Sequence, residues 1–371
     1  WYALFTTVLL WLGGTLYAGG VLFSQIMAWP LWVSVVSLAT IALLLTAVGG
    51  LIAVVVTDSF QSILMIIGST ILTIIAFLEV GSLSTLVEAT PEDYWKLFRS
   101  VDDDVYPWHA VILGYPVLAI WFWCTDQTIV QRVLGARDLR QGQIGVAFAG
   151  FLKIIPPFIF MLPGILCFVL HPNLANPDEA FLTMVTNYLP TGMIGLIVAV
   201  LIAALVSTVD SGLNSFSTVF TLDIYVARCR PAASQKEIRW VGRLVMIAVA
   251  ILAVACALSM EGAGKNMFEL LQGIISFIAP PMGAVFLIGI LWRGATATAA
   301  YWTLIFGSIV SLSIGLMHFK HWPVEGFWPN HLLLAFYLFV GISAFMVIVS
   351  FFTERDPEEQ ELRTMERELW S

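Results

Sequence analysis

Apolar runs of about 20 residues, each closed by a short polar break, recur along the 371-residue chain. They fall at residues 2–26, 29–48, 51–80, 108–131, 143–170, 190–224, 239–260, 266–292, 295–317 and 331–352. A helix needs about 20 apolar residues to cross the hydrocarbon core, whereas a barrel strand alternates over about ten. The runs therefore predict an all-α, polytopic membrane protein and exclude a barrel. With charged residues at 11% and hydrophobic residues at 59%, the chain lies outside the soluble range. The net charge of −8 gathers largely at residues 102–104 and 356–361 and offers no basic surface to nucleic acid. Four scattered cysteines lack disulfide or metal spacing, and the histidines sit near predicted loops and helix ends.

Within this apolar background, residues 203–225, AALVSTVDSGLNSFSTVFTLDIY, carry an unusual load of oxygen. Ser207, Ser211, Asn214 and Thr218 recur at i, i+4, i+7 and i+11, which is one stripe of a helix. Asp210 lies among them, and an acid inside a spanning helix costs about 2.5–3.5 kcal/mol on insertion scales, so it faces a bundle interior or a cation rather than lipid. Any one hydroxyl here serves equally well as a small packing residue bonded back to its own helix. Hydroxyls beside a carboxylate, however, make the all-oxygen set that hard cations such as Na⁺ require. Asp58, in the third run, is a second intramembrane acid predicted at comparable depth. Two unpaired carboxylates at that depth repel each other unless a cation lies between or beside them.

Three further interruptions mark cavity-lining helices. Thr125, Asp126 and Gln127 break the fourth run next to Trp121, Phe122 and Trp123. Asp126 has the alternative of pairing with an arginine at the rim. Lys153 precedes Pro156 and Pro157, where it either snorkels to the surface or faces a cavity. Pro280 and Pro281, after Gln272 and Gly273, predict a broken helix. Arg132, Arg137, Arg140, Arg228, Arg230 and Arg293 fall on one side of the predicted topology, against Lys96, Arg99, Lys265 and Lys320 on the other. Short cationic loops stay inside, so both chain ends are predicted to be cytoplasmic, in the plasma (inner) membrane. No phosphate-binding loop, nucleophile elbow or zinc motif is present, so neither an ATP-driven pump nor an enzyme has support.

The stretches FWCTDQTIVQR (122–132), GFLKIIPP (150–157), LVSTVDSGLNSFSTVFTLDIY (205–225) and LLQGIISFIAPP (270–281) follow one another in an order that resembles the sodium:solute symporter family, sodium/glucose cotransporter branch. The resemblance implies an inverted repeat of five plus five helices with extra C-terminal helices, of which this chain resembles core helices three to ten and lacks the first two. Residues 1–292 would then be transporter core, 293–353 two peripheral helices and 354–371 an acidic cytoplasmic tail. The family's main sodium site matches Ala204, through its carbonyl, with Ser207 and Thr208. A further sodium site matches Asp58, Asp210 and Ser211, and Asp210 stands where the family commonly has serine or threonine. Lys153 and Gln272 match positions that hydrogen-bond a hexose, and the inner aromatic gate matches Phe122 with Trp123 beside it. The implied function is sodium-coupled import of a neutral sugar or polyol by alternating access. The alternatives are an organic-acid symporter (sialic acid or a monocarboxylate) and a non-transporting sensor or channel. The implied partners are the sugar or polyol, Na⁺ and the lipid bilayer.

Overall fold

The computed structural model describes residues 2–354 except 104, 175, 262–266 and 325; the side chains at 9, 10, 47–54, 178 and 267 are also outside it. The predicted acidic tail at 355–371 therefore lies outside the described residues. Among the described residues there is no strand, and nine helical segments are long and apolar enough to cross a bilayer. The chain is a multi-pass integral membrane protein.

The principal helices are α1 (Tyr2–Met27), α2 (Leu31–Val80), α3 (Trp108–Thr125), α4 (Gln127–Leu134), α5 (Leu139–Leu152), α6 (Leu162–Leu170), α7 (Thr191–Cys229), α8 (Gln235–Ser259), α9 (Met267–Leu291), α10 (Ala297–Phe319) and α11 (His331–Phe351). They divide into two compact units. The first comprises Trp1–Lys96 and Gln131–Phe268, the second Leu97–Val130 and Glu269–Ser371.

In the first unit the backbone of α2 runs unbroken from Leu31 to Val80, whereas the sequence predicts two spans meeting at residues 48–51. Glycine is a weak helix former, but in apolar surroundings the backbone has no water to bond to and stays helical unless turn chemistry intervenes. The two ends of α2 serve different cores. Val35 and Leu38 pack with Leu12 and Leu16 of α1, Val206, Val209 and Leu213 of α7, and Val249 and Ala253 of α8. Leu72 and Ala76 pack with Leu166 of α6, Met184 and Ile197. Gly212 on α7 makes the first of these cores possible, since a Cβ there would stand 2.8 Å from Leu12 Cδ2.

In the second unit α9 continues straight through Pro280 and Pro281, which the sequence predicts as a break. A proline at 281 has no N–H for the carbonyl four residues earlier, that of Phe277. That carbonyl is not left bare: the buried Ser311 hydroxyl of α10 donates to it at 2.6 Å. The neighbouring helix thus replaces the missing bond, the condition on which proline is tolerated inside membrane helices. Ser311→Ala is expected to destabilise the protein by about 1–3 kcal/mol, the penalty for a buried acceptor without a donor. Thermal unfolding of the purified variant measures this, and an unchanged midpoint would mean that the carbonyl finds another donor.

Candidate functional site

The oxygen-rich stretch of α7 faces α2 within the first unit, and the sequence explains the approach. The apolar positions of α7 (Val206, Val209, Leu213) bury into the core, which turns Ser207, Thr208 and Ser211 toward an adjoining polar strip. Ser207 Oγ donates a short hydrogen bond to Asp58 Oδ1. On the other carboxylate oxygen, Arg132 Nη2 approaches Asp58 Oδ2 to 3.1 Å. The same nitrogen donates to Ser211 Oγ at 2.6 Å. One carboxylate on α2, one guanidinium on α4 and two hydroxyls on α7 thereby form a single connected cluster.

The arginine side chain is 31% exposed and the aspartate 25%, so the pair is neither a surface contact nor fully desolvated. Median surface pairs are worth about 0–1 kcal/mol, whereas breaking a buried pair by removing one partner costs about 3–5. This pair falls between those limits. A cavity of about 260 Å³ opens beside the cluster, lined by Asp58, Gln61, Ser62, Arg132, Ala204, Ser207 and Thr208 among others. On its wall the Thr208 hydroxyl donates to the Ala204 carbonyl at 2.9 Å, the back-bond that the sequence allows for any single hydroxyl. A second cavity of about 480 Å³ lies alongside, lined by Thr57, Gln61, Ala203, Ser207 and Asp210 with apolar neighbours. Asp210 is 5% exposed, and its Oδ1 has no hydrogen-bond partner among the described residues. Ser207 borders both cavities.

The arginine reaches this place through a break in the helix. Helix α3 ends in wide turns, where the Asp126 N–H donates to the Trp121 carbonyl five residues back. Asp126 itself is extended. Its carboxylate then caps α4, accepting the Thr128 N–H at 2.9 Å and a short bond from the Thr128 hydroxyl. The discontinuity expected at 125–127 is present. Asp126 caps a helix there, and the aspartate that Arg132 meets is Asp58. Sequence reasoning gave Arg132 no role beyond a cationic rim. The signal that would have found it is Asp58 itself, an acid at depth that needs a cation.

The remaining site candidates lie in their own settings. Lys153 is exposed at the C-terminal end of α5, with its N–H on the Ala149 and Gly150 carbonyls. The helix predicted to run through it stops there and resumes at Pro157. In the second unit Phe122 is half-buried and packs edge-on to Trp123 with ring centroids 4.9 Å apart, while Trp121 is 2% exposed and belongs to the core. Gln272 on α9 donates through Nε2 to the Tyr115 hydroxyl of α3 at 3.2 Å. Tyr115 has no counterpart among the predicted site residues. Just before α3, burial pushes the Tyr106 hydroxyl up to about 12, with Tyr115 and Glu269 adding to the shift. Asp103 is held below the usual carboxylate range chiefly by the Tyr106 N–H, which donates to it at 2.7 Å.

With this geometry in hand, comparison with known proteins gives consistent matches. The model of the sodium:solute symporter family matches residues 2–307. The sodium/mannose cotransporter SLC5A10 of Bos taurus is 35% identical over 341 residues, covering 82% of this chain and 57% of that protein. The sodium/glucose cotransporter 4 of Danio rerio is 35% identical over 338 residues, covering 81% and 51%. The sodium/myo-inositol cotransporter 2 of Oryctolagus cuniculus is 34% identical over 330 residues, covering 80% and 49%. The chain thus spans about half the length of the curated relatives it matches. Among solved structures, a Na⁺-coupled sialic acid symporter in a substrate-bound outward-open state superposes with a TM-score of 0.77 at 22% identity, covering 95% of this chain and 74% of that one. At that identity the likeness speaks for the fold.

Proposed function

Because the chain belongs to the sodium:solute symporter family, we propose that it acts in sodium-coupled symport of a neutral sugar or polyol, moved inward by alternating access across the plasma membrane. The observation that carries the reading is the wall of oxygen atoms at Ala204, Ser207 and Thr208, bordering a cavity that Asp58, Gln61 and Ser62 also line. A hard cation is held by such oxygens. A hydroxyl that donates its single proton, as Ser207 does to Asp58, keeps its lone pairs for a cation. The donor set therefore fits sodium at the main position. Sodium bound there supplies a positive charge that ties residues of one helix into a single arrangement. Coupling follows only if the ion binds one conformational state more tightly than the other.

On the substrate side we assign Lys153 and Gln272 to the sugar hydroxyls and Phe122 with Trp123 to its apolar faces. Residues 1–292 form the transport core in this reading and 293–353 a peripheral pair of helices. The arginine-rich loops support a cytoplasmic position for the start of the span at 2–26 and the end of the span at 331–352. The names of the relatives support a sugar or an inositol as cargo, since they are cotransporters of mannose, glucose and myo-inositol.

The experiment is sodium-driven uptake of labelled hexose or inositol into vesicles carrying the protein. Ser207→Ala and Thr208→Ala are each expected to raise the sodium concentration for half-maximal uptake several-fold, because one oxygen leaves a small shell while the Cβ is kept. If both variants match the parent, the stripe is packing alone. Accumulation without a sodium gradient, or a sodium current without accumulation, would reject symport.

A further inference from the structure

Building on the symport reading, we propose that the Arg132 guanidinium is a tethered second cation, standing where a second sodium ion would bind, so that this protein holds one exchangeable sodium. The acid that a second site would use has both oxygens engaged, Oδ1 by the Ser207 hydroxyl and Oδ2 by Arg132 Nη2 at 3.1 Å. The hydroxyl that would complete the site, Ser211, accepts from the same nitrogen at 2.6 Å. That nitrogen therefore lies between the two side chains whose oxygens a sodium ion would have to share. Two positive charges a few ångström apart in a half-buried setting repel strongly, so guanidinium and sodium exclude each other there. Arginine stays protonated at any working pH, which makes its charge permanent. Asp210 is not part of this bridge and borders the adjoining cavity instead.

The arrangement also ties the arginine to the main position. Ser207 donates to the carboxylate that Arg132 holds, and it lines the same cavity as Ala204 and Thr208. Arg132 rides on α4, a short helix distinct from the two that carry the acid and the hydroxyls. Movement of α4 away from α2 and α7 would withdraw the tethered charge and expose Asp58.

The test counts ions without needing the substrate's identity. Equilibrium binding of ²²Na⁺ to the full purified protein in detergent is expected to reach one ion per chain. Arg132→Gln, which keeps a polar side chain but removes the charge, is expected to double that to two and to make the variant's melting temperature rise with sodium. Arg132→Lys restores a tethered cation and is expected to return the count to one. Two ions in the parent, or one in a folded Arg132→Gln, would overturn the proposal. If Arg132→Gln does not fold, the parent count decides alone, one ion supporting the tethered cation and two rejecting it. No sodium binding in the parent would instead reject the symport reading, so the two failures are told apart.

Discussion

Replacing Asp58 with alanine is expected to destabilise the protein by about 3 kcal/mol in sodium-free buffer, and a simultaneous Arg132→Leu change to recover most of that loss. Alanine removes the carboxylate that faces Arg132 Nη2 at 3.1 Å and leaves a guanidinium among membrane helices without this partner. It also strips Ser207 of its acceptor. Because the two side chains are 31% and 25% exposed, water relieves part of the penalty, which sets the figure at the lower end of the range for buried pairs. Removing both charges replaces an ion pair with apolar volume, an exchange that is often neutral. Unfolding of the parent, both single variants and the double variant forms a cycle whose coupling term is the result. Strictly additive losses would mean that the contact contributes nothing.

On the sugar assignment proposed above, Lys153→Ala and Gln272→Ala are each expected to lower sugar affinity about five- to 150-fold, with little change in the sodium needed at saturating sugar. A buried hydroxyl of the cargo that loses its partner costs about 1–3 kcal/mol. Gln272 is held from its other side by Tyr115, which restricts where its amide points. Tyr115→Phe is therefore expected to weaken binding less than Gln272→Ala, since the amide remains but its orientation is freed. Binding of labelled glucose, mannose and myo-inositol to the detergent-purified protein measures all three. Unaltered affinity in the lysine and glutamine variants would leave the sugar assignment resting on family likeness.

Much of the architecture was legible because membrane insertion leaves few options: apolar runs of span length must be helices, and the runs at 239–260, 295–317 and 331–352 correspond to helices within a few residues. The meeting of α2 and α7 was legible for a related reason. Acids and hydroxyls at equal depth in an apolar medium find one another, and Ser207 does meet Asp58. What the sequence hid was the cation that joins Asp58 to Ser211. Arg132 closes its apolar run and resembles every other rim arginine, and its partner lies far away in the chain. The helix-breaking residues were misleading in the opposite direction. Gly49–Gly50 and Pro280–Pro281 are weak helix formers, but the backbone of α2 and that of α9 pass through them, the second with a hydroxyl from α10 on the Phe277 carbonyl.

That last contact has a mechanical consequence. Away from Pro280 and Pro281, helix α9 is stiffened by its own ladder of hydrogen bonds, but the two prolines remove two rungs, and Ser311 donates to the Phe277 carbonyl that one of them leaves. A rung internal to a helix fixes the local axis, whereas a hydroxyl swivels about its Cβ–Oγ bond and follows a carbonyl through a range of tilts. At Pro281 the course of α9 therefore rests on a contact with its neighbour α10 as well as on its own ladder.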